Sequence, residues 1–247
     1  MRSVPTWLAA WLLAIGLLSP LGAQESKTAE QTVPFKVYAS GGKTPVYVGE
    51  YVVSQIGPLV TEKQRYRKPS GETIIERDSV FDLEKRRPVS FLDRNFITGK
   101  VFNVKVDGNR ISVRIEDLKG NLDTDKTLSL PKETFIWPNF SYVLAQDWDK
   151  LTGGSDAYEA RIFVLSRLND YGMQAVPEGD ATVEGVAGRR FRLEPSSAFV
   201  RAVAPATHLT LANSPPHRVI RYEGNGAVPD ASGKQLDATI VFEWPKG

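Results

Sequence analysis

Residues 101–116, VFNVKVDGNRISVRIE, alternate apolar and polar side chains around one tight-turn signal, and no other stretch limits the fold so sharply. A two-residue turn at Gly108-Asn109 sets Val106 against Ile111, Val104 against Val113 and Phe102 against Ile115, all on one face. A turn at Asp107-Gly108 keeps the same faces together and shifts the partners by two. In either case Asn103, Lys105, Arg110, Ser112 and Arg114 fall on the opposite side with Val101. One dry side and one wet side is the mark of an antiparallel sheet.

The same period recurs along the chain. Leu236, Ala238, Ile240, Phe242 and Trp244 alternate with Asp237, Thr239, Val241 and Glu243 in the last strand. Val46 opens a β-branched and aromatic run, VYVGEYVV, in which Gly49 marks a bulge or a close approach by another segment. The segment EARIFVL is apolar on both faces, which predicts a central strand covered by a helix. Thr61 to Leu83 reads as a hairpin about KPSG, with Arg67 opposite Glu72 and Lys63 opposite Glu76. The basic cluster Lys63, Arg65, Arg67 and Lys68 is then a solvated face with local partners, the alternative being an anion or phospholipid head-group patch.

Asn139 to Leu151 breaks the pattern. Phe140, Val143, Leu144, Trp148 and Leu151 fall at offsets of 0, 3, 4, 8 and 11, one stripe of a 3.6-residue helix. Asn139 is the expected N-cap, and Gly153-Gly154 the expected left-handed end. The expected fold is therefore mainly β: a single antiparallel curved sheet or half-barrel with one short helix packed on its concave face.

Residues 1–23 read as a cleaved signal peptide, with Arg2 as the positive region and Trp7 to Leu18 as an apolar run too short to span a bilayer. Ala23 suits the cut, Leu21 is large for its position, and an uncleaved anchor is the alternative. Residues 24–45 are expected to be a flexible leader with an edge strand at Phe35 to Tyr38, and residues 46–247 a single β-rich domain. Export implies a periplasmic location, and the absence of cysteine leaves the core alone to hold the fold.

Composition narrows the chemistry. Removing residues 1–23 takes one of 31 basic side chains and none of the 29 acidic ones, so the body is near neutral and offers no electrostatic case for nucleic acid. His208 and His217 are the only histidines, and they come without the flanking ligands that a zinc site needs. No GxSxG elbow, P-loop or GxGxxG occurs, and the carboxylates are scattered singly. Segments such as EKQRYRK are too charged for the lipid-facing band of an outer-membrane barrel. The expectation is a non-enzymatic protein with no metal and no cofactor.

Three segments carry a resemblance: Val46-Tyr47-Val48-Gly49-Glu50-Tyr51, then Val186-Ala187-Gly188 to Phe191-Arg192-Leu193, then His217 to Gly224. Over residues 46–244 the chain resembles an uncharacterised family of exported bacterial β-rich proteins, a domain of unknown function. That family is similar in outline to the periplasmic lipoprotein-carrier half-barrels, and the resemblance implies an apolar pocket beneath a helix. The leading expectation is binding of a lipid or another hydrophobic or amphiphilic envelope molecule, with Trp137, Phe140, Val143, Leu144 and Trp148 as lining residues. The competing expectation is an envelope interaction or assembly module with a filled core and a protein partner. A hydrolase with a site assembled from distant strands is the third.

Overall fold

The computed structural model describes residues 27–136, 139–154, 157–201 and 206–245. In chain order the first eight strands are β1 (Lys27–Ala39), β2 (Pro45–Ile56), β3 (Leu59–Arg67), β4 (Thr73–Asp82), β5 (Arg87–Asn95), β6 (Lys100–Asp107), β7 (Arg110–Asp117) and β8 (Leu122–Ser129). The short β9 (Thr134–Ile136) leads to helices α1 (Phe140–Gln146) and α2 (Trp148–Gly153). Then come β10 (Tyr158–Val164), β11 (Asn169–Val183), β12 (Val186–Pro195), helix α3 (Ala198–Arg201), β13 (Thr207–Ala212), β14 (Val219–Pro229) and β15 (Gln235–Phe242). The proposed signal peptide lies outside the described residues.

All fifteen strands share one sheet, ordered β8-β7-β6-β5-β4-β3-β2-β1-β15-β14-β13-β12-β11-β10-β9. This corrects the expected half-barrel with one helix on a concave face. The sheet is open, since β8 and β9 stand at its two ends without pairing to each other. Its pairs are antiparallel except β9 with β10, which run parallel because the helical segment supplies the crossover between them. The helix is also not single, since α1 and α2 are separated at Asp147.

The β6–β7 hairpin has the register that its alternation predicts, with Val106 opposite Ile111, Val104 opposite Val113 and Phe102 opposite Ile115. The β3–β4 hairpin is shifted by two residues from its expectation, placing Lys63 opposite Asp78 and Arg65 opposite Glu76. A slip of two keeps every side chain on its own face, so opposite charges still meet. Arg65 lies 2.9 Å from Asp78, Arg67 2.9 Å from Glu50 and Lys68 2.8 Å from Glu72, the local pairing of a solvated face.

Two expectations fail on position. Residues 27–39, expected within a leader with one edge strand, form a strand between β2 and β15 that buries Val33, Phe35 and Val37. Conversely, EARIFVL is not central, because β10 is the last strand but one. Its two apolar faces have another cause. Ile162 enters the main core with Phe35, Phe81 and Phe191, whereas Phe163 joins a second core with Phe91, Val104 and Ile111 of β5–β7. Phe135 and Ile136 of β9 divide the same way. This end of the sheet has a core on each side.

Gly49 marks a close approach. It sits opposite Phe35, and a Cβ built on it would lie 2.2 Å from the Phe35 ring and 2.3 Å from the Arg65 carbonyl oxygen. Backbone on one side and a fully buried ring on the other leave no room to yield. Gly49→Ala is expected to lower the unfolding free energy by about 3 kcal/mol, the upper part of the overpacking range, as read by urea denaturation.

Candidate functional site

The inward faces of β3 and β4 are polar where an ordinary core strand would be apolar. On β3 that face reads Val60, Glu62, Gln64, Tyr66, all buried, and on β4 it carries Arg77 and Ser79. Between these strands, the facing parts of β13–β15 and α1 lies a cavity of about 370 Å³. Its apolar wall includes Val53, Leu209, Ile240 and Phe242.

Glu62 joins the helix to the sheet across this space. Its Oε1 accepts hydrogen bonds from the hydroxyls of Tyr51 on β2 and Tyr142 on α1, the latter at 2.8 Å. Its Oε2 accepts from Ser79 Oγ at 2.7 Å and from Asn139 Nδ2 at 3.3 Å. The two phenol oxygens are 2.9 Å apart. Burial, and then the Glu62 charge, push both tyrosine hydroxyls well above their ordinary range, so both stay protonated as donors. Asn139 stands at the expected N-cap position, but its side chain makes no capping bond and spends its amide on Glu62 and Ser79.

Arg77 is neutralised separately. It stands directly opposite Asp93 on β5, its Nε donating to Oδ2 at 2.8 Å, and its guanidinium lies 5.4 Å from the centre of the Tyr66 ring.

The break between the helices is a third polar junction. Asp147 accepts from both terminal nitrogens of Arg86 in the β4–β5 turn, from the Tyr158 hydroxyl at 2.6 Å and from Lys150 at 3.2 Å. These bonds tie the helical segment to β10 and to the far side of the sheet. The helix does not end in a left-handed glycine: Gly153 is its last residue, and Gly154 is extended at φ −120°.

The five expected lining residues are distributed differently. Phe140, Val143 and Leu144 are wholly buried in the main core and are not on the cavity wall. Trp148 is half-buried, stacked on His217 at 4.1 Å and edge-on to Phe191. Trp137 lies outside the described residues. The cavity takes Ser141, Tyr142, Ala145 and Gln146, the opposite stripe of the same helix. That stripe, and the Glu62-Gln64-Tyr66 alternation, are the signals in the sequence that mark the site.

The histidines stand apart. His208 Nδ1 is 2.9 Å from Glu178, and His217 Nδ1 is 3.1 Å from the Ala212 carbonyl oxygen. Among the described residues no group of three or more His, Cys, Asp or Glu side chains is placed to hold a metal ion.

The site and fold together define a single-sheet β protein with an amphipathic cavity under a short helical segment. The chain matches no protein-family model and none of the curated proteins. Solved structures that resemble it distantly include three bacterial proteins. A protein of Parabacteroides distasonis, provisionally a lipoprotein, is 14% identical over 90% of this chain and 95% of its own, with a TM-score of 0.33. A Bacteroides fragilis protein with a YmcC-like fold, provisionally exported, is 11% identical over 91% and 97%, also at 0.33. A DUF1329 family protein of Desulfovibrio piger is 8% identical over 91% and 85%, at 0.27. Likeness at these scores defines neither the fold nor the activity of this chain.

Burial pushes the Asp147 carboxyl up, but the hydrogen bonds from Arg86, Tyr158 and Lys150 and the Arg86 charge outweigh it and hold it at about 2, below its ordinary 3.8. A depressed carboxyl stabilises the fold fully above its unfolded value and ceases to do so as pH falls through the folded one. Unfolding free energy should therefore drop by about 2 kcal/mol on this account between about pH 4 and pH 2. Urea titrations across that window should show a shallower acid limb in Asp147→Asn than in the parent.

Proposed function

We propose that this protein is an exported, non-enzymatic binder of an amphiphilic small molecule, held in the cavity between α1 and the sheet. The observation that carries the reading is the cavity itself: about 370 Å³ of space with Leu209 and Ile240 in its wall and hydrogen-bonding side chains beside them. That combination, an apolar lining with a few placed polar groups, is the usual build of a small-molecule site of about 300–1,000 Å³. The polar residues argue for binding over catalysis. Glu62 has both oxygens engaged by four donors, and Arg77 is bound by Asp93, so each is occupied in holding the walls. A general base needs a free lone pair within reach of a substrate proton. The signal-like residues 1–23 support action in the bacterial envelope.

The assembly-module alternative, which would dock through the outer edge of β8, is disfavoured by the charge on that strand. That edge carries Asp123, Asp125 and Lys126, charges of the kind that keep an edge strand unpaired.

A neutral fluorophore, N-phenyl-1-naphthylamine, tests the proposal. It should brighten saturably at one site per chain. Ala145→Trp, which puts an indole into the cavity from the helix surface, should weaken that binding by roughly tenfold or more. A linear, non-saturating response from the parent protein would remove the binding reading.

A further inference from the structure

The cavity contains four side chains that carry or can carry full charge: Glu62, Arg77, His217 and Arg218. Two already have partners in the fold, Glu62 four neutral hydrogen-bond donors and Arg77 the Asp93 carboxylate. Arg218 is different. Among the described residues it makes no ion pair and no hydrogen bond to a carboxylate, and its guanidinium lies over the Trp244 ring, 4.6 Å from the centroid. The indole beneath it is itself fixed, since Trp244 Nε1 donates to the Val219 carbonyl oxygen at 2.7 Å. A guanidinium stacked on an aromatic face keeps its N–H edge free in its own plane, which is the geometry that receives a carboxylate or phosphate through two parallel hydrogen bonds.

His217 stands next to it and is held as firmly. Its ring is stacked on Trp148 with 5° between the planes, and Nδ1 faces the Ala212 carbonyl oxygen, an acceptor, so Nδ1 carries a proton. Nε2 is the nitrogen left for a ligand. The backbone at His217 is left-handed, at φ 56°, an uncommon state for a residue with a Cβ. Both side chains are half-exposed and lie beside the exposed Pro216, whereas Leu209, Tyr66 and Ile240 on the same cavity wall are almost wholly buried. The cavity thus runs from a cationic, partly open end to a closed apolar one.

Resting on the binding reading above, we propose that the ligand is an anionic amphiphile, a chain with a carboxylate or phosphate head. Arg218 receives the head with His217 beside it, and the chain lies inward along Leu209, Ile240 and Phe242. Arg218 gives the site its preference for anions, because it is the cavity cation that no carboxylate of the described residues contacts.

The test uses the intact protein with bound N-phenyl-1-naphthylamine and three displacing ligands of one chain length: laurate, dodecanol and dodecyltrimethylammonium. Laurate should displace the probe at a concentration lower than either of the others by roughly tenfold or more, the effect of a charge-assisted bidentate contact. Arg218→Met keeps an apolar stem over Trp244 and should erase that preference while the neutral probe still binds and thermal unfolding is unchanged. Arg218→Lys should restore only part of it. Equal displacement by all three ligands from a protein that binds the probe would overturn the anionic-head assignment and leave the cavity reading standing. Failure of the probe to bind would remove both. Displacement by inorganic phosphate as effective as by laurate would overturn the amphiphile in favour of a small free anion.

Discussion

The architecture around the cavity depends on one buried carboxylate. Glu62 is 4% exposed, and a charge so placed is tolerable only if water is replaced by donors of comparable strength. The replacement comes from two strands and the helix: Tyr51 of β2, Ser79 of β4, and Tyr142 and Asn139 within or beside α1. These donors must converge on two oxygens only a few ångström apart, so the carboxylate fixes where the helix may lie over β2, β3 and β4. Hydrophobic contact is non-directional and could not set that position as narrowly.

This explains how a seven-residue helix keeps a cavity beside it. An isolated helix of that length is unstable in water, so α1 exists through its tertiary contacts. Phe140, Val143 and Leu144 bury one stripe in the main core, which by itself would draw the helix down onto the sheet. Tyr142, on another face, stacks on Phe81 and spans to Glu62, holding that side of the helix on a polar strut. At the far end Asp147 does similar work, receiving Arg86 from one part of the sheet and Tyr158 from another. The helical segment is thus anchored at both ends by carboxylates and along one side by apolar packing. The volume between the struts stays open.

How much of this the sequence discloses follows from what a period of two can say. Alternation identifies strands and their two faces, and where one face is clearly apolar, as in Val104, Ile111 and Val113, the register follows as well. The helical segment is legible from its 3.6-residue stripe, and Gly49 as a bulge or a close approach, of which the structure shows the second. Alternation cannot say which face turns inward when both carry polar residues. On β3 the inward set Glu62, Gln64 and Tyr66 looks as wet as the outward Lys63, Arg65 and Arg67, so the site is hidden by the rule that finds the core elsewhere. β1 is obscured for another reason. Pro34 argues against a central strand because it has no amide proton, yet its carbonyl accepts from Glu243 and its neighbours Val33 and Phe35 fill the core. The most apolar stripe of α1, Phe140, Val143 and Leu144, does not line this cavity; its burial builds the frame beside which the cavity lies.

The placement of charge then separates scaffold from recognition. A charged group inside a fold must be compensated, and compensation by the protein's own donors or acceptors makes it rigid and chemically quiet. Glu62, Arg77 and Asp147 are all in that condition, each held by partners from more than one element. Arg218 is treated otherwise: among the described residues its plane is supported by an indole and meets no carboxylate. An aromatic platform orients a guanidinium without consuming its hydrogen-bonding capacity. A scaffold that needed Arg218 for stability would do better with a carboxylate opposite it, as Arg77 has in Asp93. Among the described residues Arg218 is supported without being neutralised, which leaves its hydrogen-bonding edge open to a ligand.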